Sequence, residues 1–103
     1  MNPHIKQYAD LEVIQQKVCD HFGLTLAELT GPTRPDRIAQ PRTLAMFIAR
    51  RDTNLTHEEI GSKFGRDHST VCHACKRVLA SIRAGYPINE MIYLILNPET
   101  VTA

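Results

Sequence analysis

Apolar residues recur along this chain at intervals of three and four, the spacing of one face of an α-helix. The first stretch with this spacing has four apolar positions: Leu11, Ile14, Val18 and Phe22. Gly23 follows, and glycine commonly ends helices because it adopts left-handed backbone angles without a steric penalty. The chain shows no alternation of apolar and polar residues, the mark of a half-buried strand. The pattern therefore predicts an all-α fold of about five to six helices.

The next part of the chain is predicted to be a short capped turn followed by a loop. Thr25 can act as the N-cap of the turn, with Leu26 and Leu29 facing inward. Residues 31–40 contain one glycine, two prolines and two arginines, a composition typical of a loop. Pro41 is then expected to open a third helix, because its missing N–H would have no helical partner at a first position.

Two helices in the middle of the chain are separated by a tight turn. The first begins at Thr56, with Glu59 three residues later in a capping-box pattern, and ends at Gly65. The second runs over about 68–84, and its apolar residues share one side: Val71, Ala74, Cys75, Val78 and Ile82. This arrangement over about 56–84 predicts a helix-turn-helix, in which the second helix enters the major groove of DNA.

A last helix over about 88–97 is apolar on nearly every side. Its apolar residues are Ile88, Met91, Ile92, Leu94, Ile95 and Leu96. A helix of this kind is usually buried on more than one side, so one expectation is that it packs across the domain. The alternative is a homodimer or protein-partner interface through residues 88–96. In that second function the chain would be an interaction or dimerisation module with weak or lost DNA specificity.

The 103 residues suit one domain, and no apolar run approaches the length of a membrane span. With no signal-peptide pattern at the N-terminus, the expected location is the cytoplasm, with the nucleoid. The net charge is only +1, yet residues 31–86 carry ten basic and five acidic residues. The remaining residues carry two basic and six acidic ones. A basic middle between acidic ends indicates one positive face directed toward a polyanion.

His68, Cys72, His73 and Cys75 lie within eight residues and raise two other interpretations. His68, Cys72 and Cys75 could share a helix edge as metal ligands, but a structural zinc site needs four ligands and Cys75 lies on the apolar side of the helix. A redox Cys-x-x-Cys belongs at a helix start after a strand, and here the motif is in mid-helix. We therefore expect no metal and no cofactor. Since no shielded set of nucleophile and base is evident either, we expect no enzyme.

The start of the second helix suits DNA better than metal. Asp67 can accept a hydrogen bond from a cytosine amino group, and His68 and Ser69 can donate or accept at base edges. Thr70, His73 and Lys76 could reach phosphates, as could the N-terminal N–H groups of the helix itself. Double-stranded DNA is therefore the expected partner.

Two stretches, "RIAQPRTLAMFIAR" at 37–50 and "IGSKFGRDHSTVCHACKRV" at 60–78, resemble the C-terminal DNA-binding domain of the bacterial replication initiator DnaA. The resemblance covers about residues 11–84 and implies a helix-turn-helix domain of the Trp-repressor-like type that binds a DnaA-box-like site. It implies that Asp67, His68 and Ser69 read bases in the major groove, while Arg34 reaches into the minor groove.

The resemblance and the charge pattern together give a set of expected phosphate contacts. The resemblance places Arg42, Arg50, Thr70 and His73 at phosphates, and Thr43 is also included in the expected set. Charge alone adds Lys63, Arg66 and Lys76.

The chain also departs from the family pattern. Gly65 stands alone where the family has two glycines, Ser69 stands where threonine is usual, and Thr43 stands where glutamine is usual. These departures predict weaker or altered specificity for a standard box. The ATPase phosphate loop G-x-x-x-x-G-K-[ST] is not found in the sequence. The expected protein is therefore a stand-alone DNA-binding module without ATPase that acts in origin binding or regulation.

Overall fold

The computed structural model describes residues 8–32 and 36–101, which form six α-helices and one 3₁₀ turn. The helices are α1 (Tyr8–Phe22), α2 (Leu26–Thr30), α3 (Asp36–Asp52), α4 (His57–Lys63), α5 (His68–Arg83) and α6 (Ile88–Leu96), followed by the turn Pro98–Val101. The described residues contain no strand, and the predicted all-α class is confirmed. None of the described helices is both long enough and apolar enough to cross a membrane.

The short helices owe their start points to side-chain caps. The hydroxyl of Thr25 accepts from the N–H of Glu28 at 3.1 Å, and the Glu28 carboxylate accepts from the Thr25 N–H at 3.0 Å. Thr56 and Glu59 repeat this reciprocal pair at 3.1 and 2.9 Å. Each pair satisfies two N–H groups that have no partner within the helix. The sequence-based prediction of a capping box at Thr56 is confirmed.

A single core is built from side chains of all six helices. Its fully buried larger members are Leu11, Val18, Leu29, Ile38, Met46, Ile48, Leu55, Ile60, Phe64, Val71, Ile92 and Ile95. Within this core α5 packs against both α3 and α4, and α6 packs against α1. The helix-turn-helix formed by α4 and α5 is therefore supported from below by α3, the most buried helix.

The start of α3 corrects the sequence-based prediction. The helix begins at Asp36 rather than at Pro41, so Pro41 lies inside it and supplies no N–H to the carbonyl of Arg37. Ile38, in the stretch predicted to be loop, is 1% exposed. Burying an isoleucine side chain contributes about 2 kcal/mol, which offsets much of the cost of an internal proline. Asp36 in the first turn also interacts favourably with the helix dipole.

The position of Leu26 is a second correction. The sequence predicts that it faces inward with Leu29, but it is 47% exposed whereas Leu29 is fully buried. Leu26 is the first residue of a helix only five residues long, and Leu29 is the side chain through which α2 enters the core. Such a short helix has room for one inward-facing position, so the other leucine stays in solvent.

The apolar helix α6 is covered on one side only. Ile92 and Ile95 are buried in the core, while Met91, Tyr93 and Leu94 are exposed. The end of α6 is tied to α1 by the ammonium of Lys17, which donates to the carbonyl of Leu96 at 2.7 Å. The expectation that this helix packs across the domain thus holds for its isoleucines and not for its outer side chains.

Candidate nucleic-acid interface

The N-terminal end of α5 is capped by Asp67. Its Oδ1 accepts from the N–H of Thr70 at 2.9 Å and from the Thr70 hydroxyl at 3.0 Å. These hydrogen bonds, with smaller contributions from the positive charges of His68 and His73, hold the pKa of the Asp67 carboxyl below its usual range. Both bonds go to Oδ1, so the other oxygen is left to accept from a base. Asp67 is therefore a charged acceptor at neutral pH.

The predicted reading residues lie together on an exposed surface. Asp67, His68 and Ser69 are all exposed at the first turn of α5, and His73 and Lys76 continue the same face along the helix. Val71, Ala74 and Val78 point the other way, into the core. The helical period thus separates the core side chains from the solvent-facing polar ones. We call this exposed polar face of α5, residues 67–76, the reading face.

Thr70 is on the reading face, yet its hydroxyl is already used. The single hydroxyl proton is donated to Asp67, so the group has only acceptor capacity left. A phosphate oxygen needs a donor. Contact through Thr70 would therefore require the hydroxyl to exchange its bond with the cap.

The turn before α5 depends on Gly61 in α4. The N–H groups of Phe64 and Arg66 both donate to the carbonyl of Gly61, at 2.9 and 2.8 Å. A Cβ at Gly61 would lie 2.6 Å from the carbonyl oxygen of Arg66 and 3.0 Å from that of Asp67. Gly65 supplies the left-handed backbone angle of the turn, with φ of 65°. The turn is therefore closed against α4 as tightly as a glycine allows.

Arg66 lies in this turn and is partly buried. Its Nη1 donates to the carbonyls of Phe64 and Gly65 at 3.0 and 3.3 Å, and its Nη2 donates to the carbonyl of Gly31 at 3.0 Å. The guanidinium thus bonds to protein rather than extending into solvent.

Arg42 is a predicted phosphate contact, and its position argues against that role. Its side chain is 5% exposed, and its Nε donates to the carbonyl of Leu29 at 2.7 Å. Its Nη2 donates to the carbonyls of Glu28 and Gly31 at 3.0 and 3.3 Å. The guanidinium therefore caps the carbonyl end of α2, where the helix dipole favours a cation. We assign Arg42 a structural role at the end of α2, and its phosphate contact stays a prediction.

The other predicted phosphate contacts differ from one another in burial and in their partners. Thr43 is half-buried in α3, and Arg50 is exposed with its Nη1 donating to the Leu55 carbonyl at 3.2 Å. The ammonium of Lys63 lies 3.7 Å from a carboxylate oxygen of Glu12 on α1. Arg34, the predicted minor-groove residue, lies outside the described residues.

His57 is a titratable residue on α4 that the predicted site omits. His57, the first residue of α4, has its pKa lowered by burial, and the nearby positive charges of Arg50 and His68 lower it further. The charge of His68, a predicted base-reading residue, thus acts on His57. Sequence reasoning missed His57 because it lies eleven residues before His68 and on another helix. The one available signal was the capping box, which fixes where α4 begins.

Arg77 and Arg83 are further basic residues that the predicted site omits. Both are exposed on α5, beyond Lys76. They continue the positive charge toward the C-terminal end of the helix, where a cation also interacts favourably with the dipole. Their positive charge is the feature of the sequence from which they could have been added to the predicted phosphate contacts.

The cysteines give no support to the metal and redox interpretations. All three are free thiols, and Cys75 is half-buried with its pKa raised, first by burial and then by Cys72. A raised pKa means less thiolate, the form that attacks disulfides and binds metals. Among the described residues, no group of three His, Cys, Asp or Glu side chains could hold a metal ion.

The fold and the reading face define a class of protein, the helix-turn-helix domains. The chain belongs, more narrowly, to the bacterial dnaA protein helix-turn-helix family, whose model matches residues 11–78. The resemblance seen in the sequence is thereby confirmed.

Curated relatives agree with this assignment. The chromosomal replication initiator protein DnaA of Acinetobacter baumannii (strain AYE) is 48% identical over 84 residues, which are 81% of this chain and 18% of that protein. DnaA of Zymomonas mobilis is 42% identical over 74 residues, 71% of this chain and 15% of the relative. DnaA of Roseobacter denitrificans is 44% identical over 69 residues, 66% and 15% respectively. The chain thus spans less than a fifth of the length of these relatives.

Proposed function

We propose that this chain binds double-stranded DNA in a sequence-specific manner and reads a DnaA-box-like site with the N-terminal turn of α5. The observation that carries the proposal is the exposed group of Asp67, His68 and Ser69 on a capped helix directly after a helix-turn-helix turn. Membership of the dnaA helix-turn-helix family supports the same function. In this class of motif, the start of the second helix meets the base edges.

The groups on the reading face have complementary chemistry. Asp67 accepts from a cytosine amino group, while His68 and Ser69 can each donate or accept at a base edge. His73, Lys76 and Arg50 are exposed donors suited to phosphate, and Arg34 is proposed to reach the minor groove. Phosphate contacts fix the register of the protein on the duplex, and base contacts select the sequence.

The proposed biological role of this DNA-binding module is origin binding or regulation. Relatives carry the name chromosomal replication initiator protein, and the segment they share with this chain is a small part of each. The sequence contains no phosphate-loop motif for a nucleotide. In this proposal the chain recognises DNA and does not catalyse a reaction.

The test is fluorescence anisotropy with a duplex carrying a DnaA-type box and a scrambled duplex of the same composition, at several salt concentrations. His68→Ala removes a reading side chain, and His21→Ala, on α1, is the matched control. We expect the wild type and the control to prefer the box, with affinity falling as salt rises. His68→Ala should reduce the preference about tenfold, the effect expected when one base pair is no longer read.

Three outcomes would contradict the proposed function. Equal binding of both duplexes by the wild type contradicts the proposed sequence specificity, as does an unchanged preference in His68→Ala. No binding at any salt concentration contradicts DNA binding itself.

A second candidate function is a homodimer or protein-partner interface through residues 88–96. The observation that favours it is the exposure of Met91, Tyr93 and Leu94 on the outer side of α6. Sedimentation over a wide range of protein concentration tests this candidate. A mass that doubles with concentration, and that Leu94→Ser returns to the monomer value, supports a dimer. A monomer throughout contradicts the homodimer.

A further inference from the structure

The side chain of Arg66 connects two parts of the chain that are distant in sequence. It belongs to the turn immediately before Asp67, and it bonds to the carbonyl of Gly31 at the end of α2, 35 residues earlier. The same guanidinium donates to the carbonyls of Phe64 and Gly65 within its own turn. All three partners are main-chain carbonyls, so Arg66 fixes backbone to backbone.

Three further observations describe the end of α2 and the approach of the turn to it. The Gly31 carbonyl accepts a second guanidinium bond, from the buried Arg42 at 3.3 Å. A Cβ added to Gly65 would lie 3.3 Å from the carbonyl oxygen of Thr30, which is a tight approach. Gly31 is itself confined, because a Cβ there would lie 2.5 Å from the Ala27 carbonyl oxygen. The acceptor that Arg66 uses is therefore held in place independently of Arg66.

We infer that Arg66 is a positioning residue for DNA recognition, which holds the reading face at a fixed height and angle against α2. The inference rests on the proposed function and replaces the expectation that Arg66 contacts phosphate. Its guanidinium forms a planar fork that spans two sets of carbonyls at once. A lysine keeps the positive charge but offers a single donor group, so it cannot make the same bridge.

This role differs from phosphate binding in what each substitution should do. A phosphate-binding side chain depends mainly on charge, so Arg66→Lys would bind nearly as well as the wild type, whereas Arg66→Ala would lower the salt dependence. A positioning residue depends on the fork, so Arg66→Lys and Arg66→Ala should have similar effects, with the salt dependence unchanged. The measurement that separates the two roles is the slope of log K against log salt concentration. This slope changes by about 0.9 for each phosphate that the protein neutralises.

The experiment measures binding of both variants to the box and scrambled duplexes across a salt series. Arg51→Lys is the matched control, because the Arg51 guanidinium pairs with the neighbouring Asp52 and lies outside the proposed site. We expect both Arg66 variants to show a preference for the box that is about tenfold weaker, with the salt slope of the wild type. The control should keep both the preference and the slope.

A double substitution tests whether Arg66 acts through the reading face. If it does, Arg66→Lys should reduce the preference for the box much less when His68→Ala is already present, because the two changes affect the same interactions with the bases. Additive reductions would mean that Arg66 does not act through His68 and would overturn the inference.

Two other outcomes would also overturn it. A lysine variant with wild-type preference, together with a lower salt slope in Arg66→Ala, would show that Arg66 binds phosphate. Equal loss of affinity for both duplexes, with their ratio unchanged, would show that Arg66 serves folding alone. Thermal melting of each variant gives the fraction folded at the assay temperature. If Arg66→Ala unfolds, Arg66→Lys and its double substitution with His68→Ala still decide whether Arg66 is a positioning residue. A wild type without preference for the box refutes the proposed function first, and the inference with it.

Discussion

The arginines of this domain differ in where their N–H groups are directed. Arg42 and Arg66 donate to main-chain carbonyls, whereas Arg77 and Arg83 are exposed on α5. A guanidinium that already donates to carbonyls has fewer donors for phosphate, and removing it would take a hydrogen bond away from each of those carbonyls. Charge along the sequence is therefore a poor guide to which arginine meets DNA, because charge does not reveal burial.

His57 is a residue whose protonation makes the stability of the fold depend on pH. Its pKa in the folded chain is lowered by burial and by the charges of Arg50 and His68. Well above the ordinary histidine pKa of about 6.5, the group is neutral in both states and does not affect stability. As the pH falls below that value, the unfolded chain takes up a proton before the folded chain does. The free energy of unfolding must therefore decrease.

We expect His57→Gln to reduce this loss of stability between about pH 7.5 and pH 5.5, on either side of the ordinary histidine pKa of about 6.5. Urea denaturation at the two pH values measures it, with His21→Gln on α1 as the control. The control should lose stability with falling pH as the wild type does. An unchanged pH dependence in His57→Gln would show that His57 does not contribute to it.

At the scale of elements, the tight packing between α4 and the turn gives Gly61 a decisive role. Gly61→Ala would place a methyl group 2.6 Å from a backbone oxygen, which cannot rotate away as a side chain does. The turn must shift, so we expect a weaker preference for the box and a decrease in stability of about 1–3 kcal/mol.

Ser62→Ala is the matched control for Gly61→Ala, because Ser62 is exposed on the same helix. It should change neither DNA preference nor the urea midpoint appreciably. If Gly61→Ala behaves like this control, the turn is less closely packed against α4 than the geometry indicates.

Sequence patterns predicted the elements best where the signal is local. The capping box at Thr56 and the apolar stripe of α5 depend on residues three or four apart, and both are present. The predicted start of α3 was wrong because glycine and proline dominated the local composition, whereas burial of Ile38 against other helices decided the outcome. The carbonyl partners of Arg42 were not predicted for the same reason, since they lie eleven to fourteen residues away in the sequence.

At the scale of the whole molecule, charge is distributed along the chain in a way that suits a polyanion. Basic residues outnumber acidic ones two to one in residues 31–86, and the ends are acidic. Lys76 lies on the reading face, whereas Lys17 is on α1 and donates to the Leu96 carbonyl. The two lysines carry the same charge in different places.

This difference provides a test of where DNA binds. Lys76→Gln should lower the slope of log K against log salt by about 0.9, the effect of one phosphate that the protein no longer neutralises. Lys17→Gln removes the same charge and should leave the slope unchanged. Equal changes in both variants would indicate a general effect of net charge and no defined phosphate interaction at Lys76.

The hydrogen bonds from Arg66 to main-chain carbonyls also bear on how the proposed DNA recognition could change during evolution. The bonds that hold the turn run from Arg66 to the carbonyls of Gly31, Phe64 and Gly65, and His68, Ser69 and His73 take no part in them. The hydrogen bonds that support the turn are therefore separate from the side chains that are proposed to contact DNA. New side chains at 68, 69 and 73 can be tried without dismantling the support beneath them, so a related sequence could acquire a different target site while keeping the same fold.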